Sequence, residues 1–169
     1  MSKHVLKAGT TIEPKPGYSI TSFRMPIPGN FYAQAEAYLQ AAIVLHKAPP
    51  RKIGADIPLF FCIAQASELF LKSFLAANGK DKNLPGWRQH DLVKLLSAAL
   101  QLGIVLKDDS QRTINEIGEQ NRVHEFRFFE TTKDIVLPPR RRSIIVVKEL
   151  QHSTLDAVRP FFRVRDQQA

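Results

Sequence analysis

The chain has 169 residues, 44% of them hydrophobic and 24% charged, with a formal charge of +8. That is the size and composition of one soluble domain able to bury a core without staples, and Cys62 is alone, which excludes an intramolecular disulfide. The basic balance favours anionic partners in the order nucleic acid, nucleotide, membrane surface.

Residues 1–29 carry Pro14, Pro16, Pro26, Pro28, Gly17 and Gly29. This spacing disfavours a helix, so an extended arm is expected there, ahead of a helical domain over 30–169. The first residues, "MSKHVLKAGTT", contain no apolar segment of the kind a secretory leader needs, and a cytoplasmic location is expected.

Asn30 offers a cap for a first helix, "FYAQAEAYLQAAIVLHK". Phe31, Ala35, Tyr38, Ala42 and Leu45 recur at helical spacing, and Tyr32, Leu39 and Ile43 widen the stripe. His46, at the stripe's edge near the helix end, reads as a partner for the C-terminal dipole. Asp56 with Pro58 opens a second helix, "PLFFCIAQASELFLKSFLAAN", stopped by "NG". It is apolar nearly all round and should be the central element. Its length suits a bilayer, but Glu68 and Lys72 at its middle argue for burial in a soluble core. Cys62, in "LFFCIAQ", reads as a small buried hydrophobe and not as a nucleophile.

After the loop "KDKNLPGWRQ", Asp91 caps a third helix with Leu92, Leu95, Leu96 and Ala99 on one face, closed by Gly103. His90 is expected to lock the loop by hydrogen bonds, and Trp87 to be core more than a base-stacking platform. A fourth helix, "DDSQRTINEIGEQNRVHEF", is expected to be capped by Asp109 or Ser110. "DIVL" and "SIIVV" around "PPRRR" read as a β-hairpin. A last helix is expected from about Ser153, with Asp156 as its capping-box partner and Pro160 bending or shortening it. The architecture is therefore an all-α antiparallel bundle of four or five helices, with a small hairpin before the last one.

Two polar constellations carry the chemistry. On the fourth helix, Ile114, Ile117, Asn121, Glu125 and Phe128 share a face, flanked by Arg122 and His124. Polar residues thus continue an apolar stripe, and must either pair inside the bundle or line a cleft. On the second helix, Glu68 and Lys72 are spaced for an i, i+4 ion pair, and Glu68 could instead orient Arg122 or Arg127. Arg140, Arg141 and Arg142 at the expected hairpin tip are either a solvated turn or a grip for phosphate. No glycine-rich phosphate loop, zinc-ligand set or serine-hydrolase elbow is present, so no metal and no cofactor are expected.

"SELFLKSFLAANGK", then "HDLVKLL", then "NRVHEFRF", then "STLDAVRPFF" together resemble the HEPN superfamily of small helical bundles, across roughly residues 31–163. The resemblance implies a homodimer whose polar clusters meet in one cleft. It further implies RNA or nucleotide binding, or metal-independent RNA cleavage. The setting it implies is a prokaryotic toxin–antitoxin or phage-defence system with a cognate protein partner. No membrane partner is expected, since the basic residues do not form an amphipathic helix. In such a nuclease His124 would move the proton, Arg122 and Arg127 would bind phosphate, and Glu68, Asn121 and Glu125 would orient them. The ribonuclease members place four to six residues between their Arg and His; here Arg122 and His124 have one between them, so the motif is degenerate. Residues two apart on a helix diverge by about 200°, so a pair from one chain cannot easily grip one phosphate. The alternative expectation is a non-catalytic dimeric interaction module.

Overall fold

In a computed structural model, residues 27–47, 56–80, 84, 86–122 and 136–162 are described, Arg122 by its backbone only. They form five α-helices: α1 (Ile27–Lys47), α2 (Asp56–Ala77), α3 (Leu92–Gln101), α4 (Asp108–Arg122) and α5 (Arg140–Val158). A single 3-10 turn, Arg159–Phe161, follows α5. The all-α class expected from the sequence is what is observed.

α2 is the centre. Leu59, Phe60, Ile63, Phe70, Leu71 and Leu75 are almost wholly excluded from solvent, each stabilising the fold by about 1.5–3 kcal/mol through burial. It is also the one described helix long and apolar enough to cross a membrane, and most of it is buried in the bundle. α1 packs most extensively against it, through Tyr32, Ala35, Leu39 and Ala42. Near the end of α2, Ser73 donates to the Pro28 carbonyl at the start of α1, 2.7 Å away. The two helices therefore run antiparallel. Arg140, opening α5, pairs with Asp56, opening α2, so those two run parallel. Tyr32 donates to the Gln151 carbonyl; burial first, then the charge of Glu36, pushes its hydroxyl up to about 12. Cys62 is half-buried and burial pushes its thiol up, which makes it a poor nucleophile.

The stops follow backbone chemistry. Gly79 and Gly103 take φ of 71° and 89°, and the bonds from Lys80 N–H to Leu75 O and from Ile104 N–H to Ala99 O close the ends of α2 and α3 in the Schellman pattern. Asp91 caps α3 by accepting from the Lys94 N–H at 3.1 Å, as expected.

Several boundaries differ from the sequence reading. α1 begins at Ile27, not after Asn30. Pro28 lies in the first turn, where its missing N–H deprives the helix of nothing. Asp109 and Ser110 lie inside α4 and are not its cap. The capping comes from another helix: Glu149 of α5 accepts from the Lys107 N–H and the Ser110 hydroxyl, both at 2.8 Å. A carboxylate at a helix N-terminus also meets the positive end of the dipole. Glu149→Ala is expected to cost about 1–2 kcal/mol, checked by urea unfolding at unchanged m-value.

The β-hairpin is not found. Residues 136–139 have no regular structure, 134–135 lie outside the described residues, and Ser143–Val147 are α-helical. Ser143, Ile144, Val147, Leu150, Thr154 and Val158 bury one face of α5 while Ile145 stays 54% exposed. That three-and-four spacing aligns the β-branched run with the core, and burial outweighs its strand propensity. α5 therefore starts at Arg140 and not near Ser153, whose hydroxyl instead donates to the Val105 carbonyl. Pro160 does shorten the helix, which passes into the 3-10 turn at Arg159.

Candidate functional site

The middle of α2 presents two charged residues inward. Glu68 is 1% exposed and Lys72 6%. Their i, i+4 spacing lets the Lys72 ammonium donate to Glu68 Oε1 at 2.7 Å. The same oxygen meets His90 Nδ1, also at 2.7 Å. Facing a carboxylate, Nδ1 is the donor, and in the neutral ring Nε2 is then the acceptor. The imidazole is 45% exposed although the carboxylate under it is buried. Glu68 Oε2 is buried with no hydrogen-bond partner among the described residues.

The turn before α3 places the imidazole. Gly86 has φ of 87° and His90 φ of 56°, in the left-handed region, which glycine adopts freely and histidine tolerates better than most residues. The Gly86 carbonyl accepts from the Asp91 N–H at 3.0 Å, and the Gly86 N–H donates to Gln89 Oε1 at 3.1 Å. The turn is closed in both directions around His90.

Trp87, in the same turn, covers Lys72, whose Nζ lies 5.4 Å from the indole centroid. Phe31 of α1 meets Trp87 edge to face, with centroids 5.7 Å apart. The indole also lines a groove of about 620 Å³, together with Ile27, Phe31, Ala76, Lys80 and Phe161. Lys72 thus joins a buried carboxylate and a half-exposed imidazole to the wall of an aromatic groove.

The residues expected to carry chemistry fall into three groups. Glu68 and Lys72 form the expected pair, joined by His90, which locks the loop as expected. On α4, Ile114, Ile117 and Asn121 do share a buried face. Asn121 is 4% exposed, and its Oδ1 has no partner among the described residues. His124, Glu125, Arg127 and the side chain of Arg122 lie outside the described residues. Arg140, Arg141 and Arg142 do not form a hairpin tip. They are the first turn of α5; Arg140 pairs with Asp56, Arg142 pairs with Asp109 at 2.7 Å, and Arg141 is exposed. Salt bridges thus tie two of the three to neighbouring helices.

The constellation that the sequence did not assemble is Glu68–His90–Trp87. Its signal was the order "SELFLK" then "GWRQHD", which gives a carboxylate on an apolar helix and a histidine just before a cap. Only the packing of the turn on α2 joins them. Among the described residues no group of three His, Cys, Asp or Glu side chains is arranged to hold a metal. No protein-family model, curated protein or solved structure matches the chain.

Proposed function

We propose that this chain is an HEPN-like bundle that binds RNA or a nucleotide, or cleaves RNA without a metal, acting as a dimer. The observation that carries the reading is Asn121, a buried amide whose oxygen has no partner among the described residues, one position before Arg122 on a helix whose face turns from apolar to polar. A buried acceptor left without a donor costs about 1–3 kcal/mol, and a catalytic role is one of the reasons a protein keeps such a group. A charge of +8 supplies the long-range attraction for a polyanion. The sequence sets Arg122 and His124 two positions apart, a spacing at which helical side chains diverge, so a second copy of the chain would complete the phosphate grip. RNA or a nucleotide is the ligand class, and a prokaryotic toxin–antitoxin or phage-defence system, with its cognate protein, is the setting.

The test is RNA binding across a salt series, followed by incubation of structured RNA in EDTA with the parent, Arg122→Ala and His124→Ala. Neutralising about four phosphates gives a loss of affinity of ~50-fold for a single strand and ~150-fold for a duplex between ~50 and ~200 mM salt. Cleavage by the parent that both variants lose supports the reading. Salt-insensitive or absent binding removes it.

A non-catalytic dimeric interaction module is the second reading. It is favoured by the engagement of Arg140 and Arg142 with Asp56 and Asp109, which takes two cations away from any phosphate. A tight dimer indifferent to RNA would select it.

A further inference from the structure

We propose that His90 is an acid/base residue in its own right, held by Glu68 as its positioning residue, and that it acts on a phosphodiester bearing a neighbouring hydroxyl. The phosphodiester class rests on the RNA reading above; the acid/base geometry of His90 does not.

Four features converge. The Nδ1 edge of His90 is committed to Glu68 Oε1 at 2.7 Å, and the imidazole is 45% exposed. A carboxylate behind one ring nitrogen fixes the tautomer, so that the other can take a proton. The carboxylate is itself held: it is 1% exposed, and the Lys72 ammonium on the same oxygen offsets its charge. The residue stands at φ 56° in a turn closed by its own hydrogen bonds, so the ring is positioned by the backbone. Finally, Trp87 of that turn walls a groove of about 620 Å³ with Phe31 and Phe161, and Lys80 stands at its lining. Aromatic walls stack bases without regard to sequence, and a lysine meets phosphate.

A plain turn pin would need the Nδ1 contact only. Nothing in that role calls for the rest of the ring to reach solvent three residues along the turn from Trp87, the residue through which the turn meets the groove. In the step inferred, Nε2 takes the proton of a ribose 2′-hydroxyl. The 2′-oxygen forms a bond to phosphorus, and the bond from phosphorus to the leaving oxygen breaks. The products are a 2′,3′-cyclic phosphate and an alcohol, which receives the proton back from the imidazolium.

The experiment uses the full chain, EDTA and uridine 3′-(4-nitrophenyl phosphate), whose leaving group needs no proton. The parent is expected to release 4-nitrophenolate above the buffer rate. His90→Asn retains a donor toward Glu68 and tolerates a left-handed backbone, yet cannot accept a proton. It should therefore fold like the parent while release falls by about 100-fold or more. Free imidazole should restore part of the rate to His90→Ala. Glu68→Gln should lower kcat more than it changes KM.

Absence of release from the parent overturns the inference, and so does an unchanged rate in folded His90→Asn. Should that variant not fold, carbethoxylation of the parent decides, with mass mapping of His90. Full modification of His90 with undiminished release overturns it as well. The two readings separate cleanly. Nitrophenolate release that depends on His90, without RNA binding, keeps this inference and removes the RNA reading. RNA cleavage that depends on His124 and ignores His90 does the reverse.

Discussion

Lys72→Met is expected to destabilise the bundle by about 3–5 kcal/mol, a fall in Tm of ~10 °C or more for a chain of this size. Methionine matches the volume and flexibility of the lysine stem, so the change removes charge more than packing. It leaves the Glu68 carboxylate, whose side chain is 2% exposed, with His90 as its one remaining partner among the described residues. It also removes the ammonium that lies 5.4 Å from the Trp87 ring. The Coulomb gain of a buried pair only roughly repays its desolvation, so deleting one partner costs far more than the pair contributes. The companion Glu68→Leu, Lys72→Met double variant should accordingly recover most of the loss. Thermal and urea unfolding of the two singles and the double close the cycle. A Lys72→Met chain within about 0.5 kcal/mol of the parent would show that this charge is not buried in solution.

Gly86→Ala is expected to cost about 2–3 kcal/mol and to release His90 from Glu68. At φ 87° an alanine adopts a conformation that L-residues avoid. Its Cβ would also stand 2.8 Å from Lys94 Cβ and 3.1 Å from the Asp91 carbonyl oxygen. The carbonyl is backbone inside the α3 cap and cannot swing aside, so the turn has to open. The readouts are the unfolding midpoint and the histidine side-chain NMR signals, where the His90 resonance should move to that of an imidazole free in water. A Gly86→Ala chain with parental stability and an unmoved His90 signal would refute the account of this turn.

The sequence made α3 fully legible. Asp91, Leu92, Leu95, Leu96, Ala99 and Gly103 supply cap, stripe and stop within one short segment, and each signal is local. α2 was equally plain, since an apolar segment ending in "NG" has few other fates. The residues 143–147 misled because β-branched side chains favour strands when nothing else acts on them, and only the facing surfaces of α2 and α4 reveal that the same residues also satisfy a helical stripe. The start of α4 misled for a related reason. Asp109 and Ser110 look like caps, but the carboxylate that does the capping comes from Glu149, 42 residues after Lys107.

The candidate site divides along the same line. Glu68 and Lys72 could be paired from their spacing, because a helix sets side chains four apart one above the other. His90, 22 residues from Glu68, could not be joined to that pair. Its place depends on a left-handed turn being packed onto the middle of α2, and that packing exists only once the core has closed. Helix periodicity, caps and glycine stops are short-range properties, and the amino-acid order alone determined them here. Which polar groups share a buried oxygen is a long-range property, decided by how the finished helices and turns pack against one another.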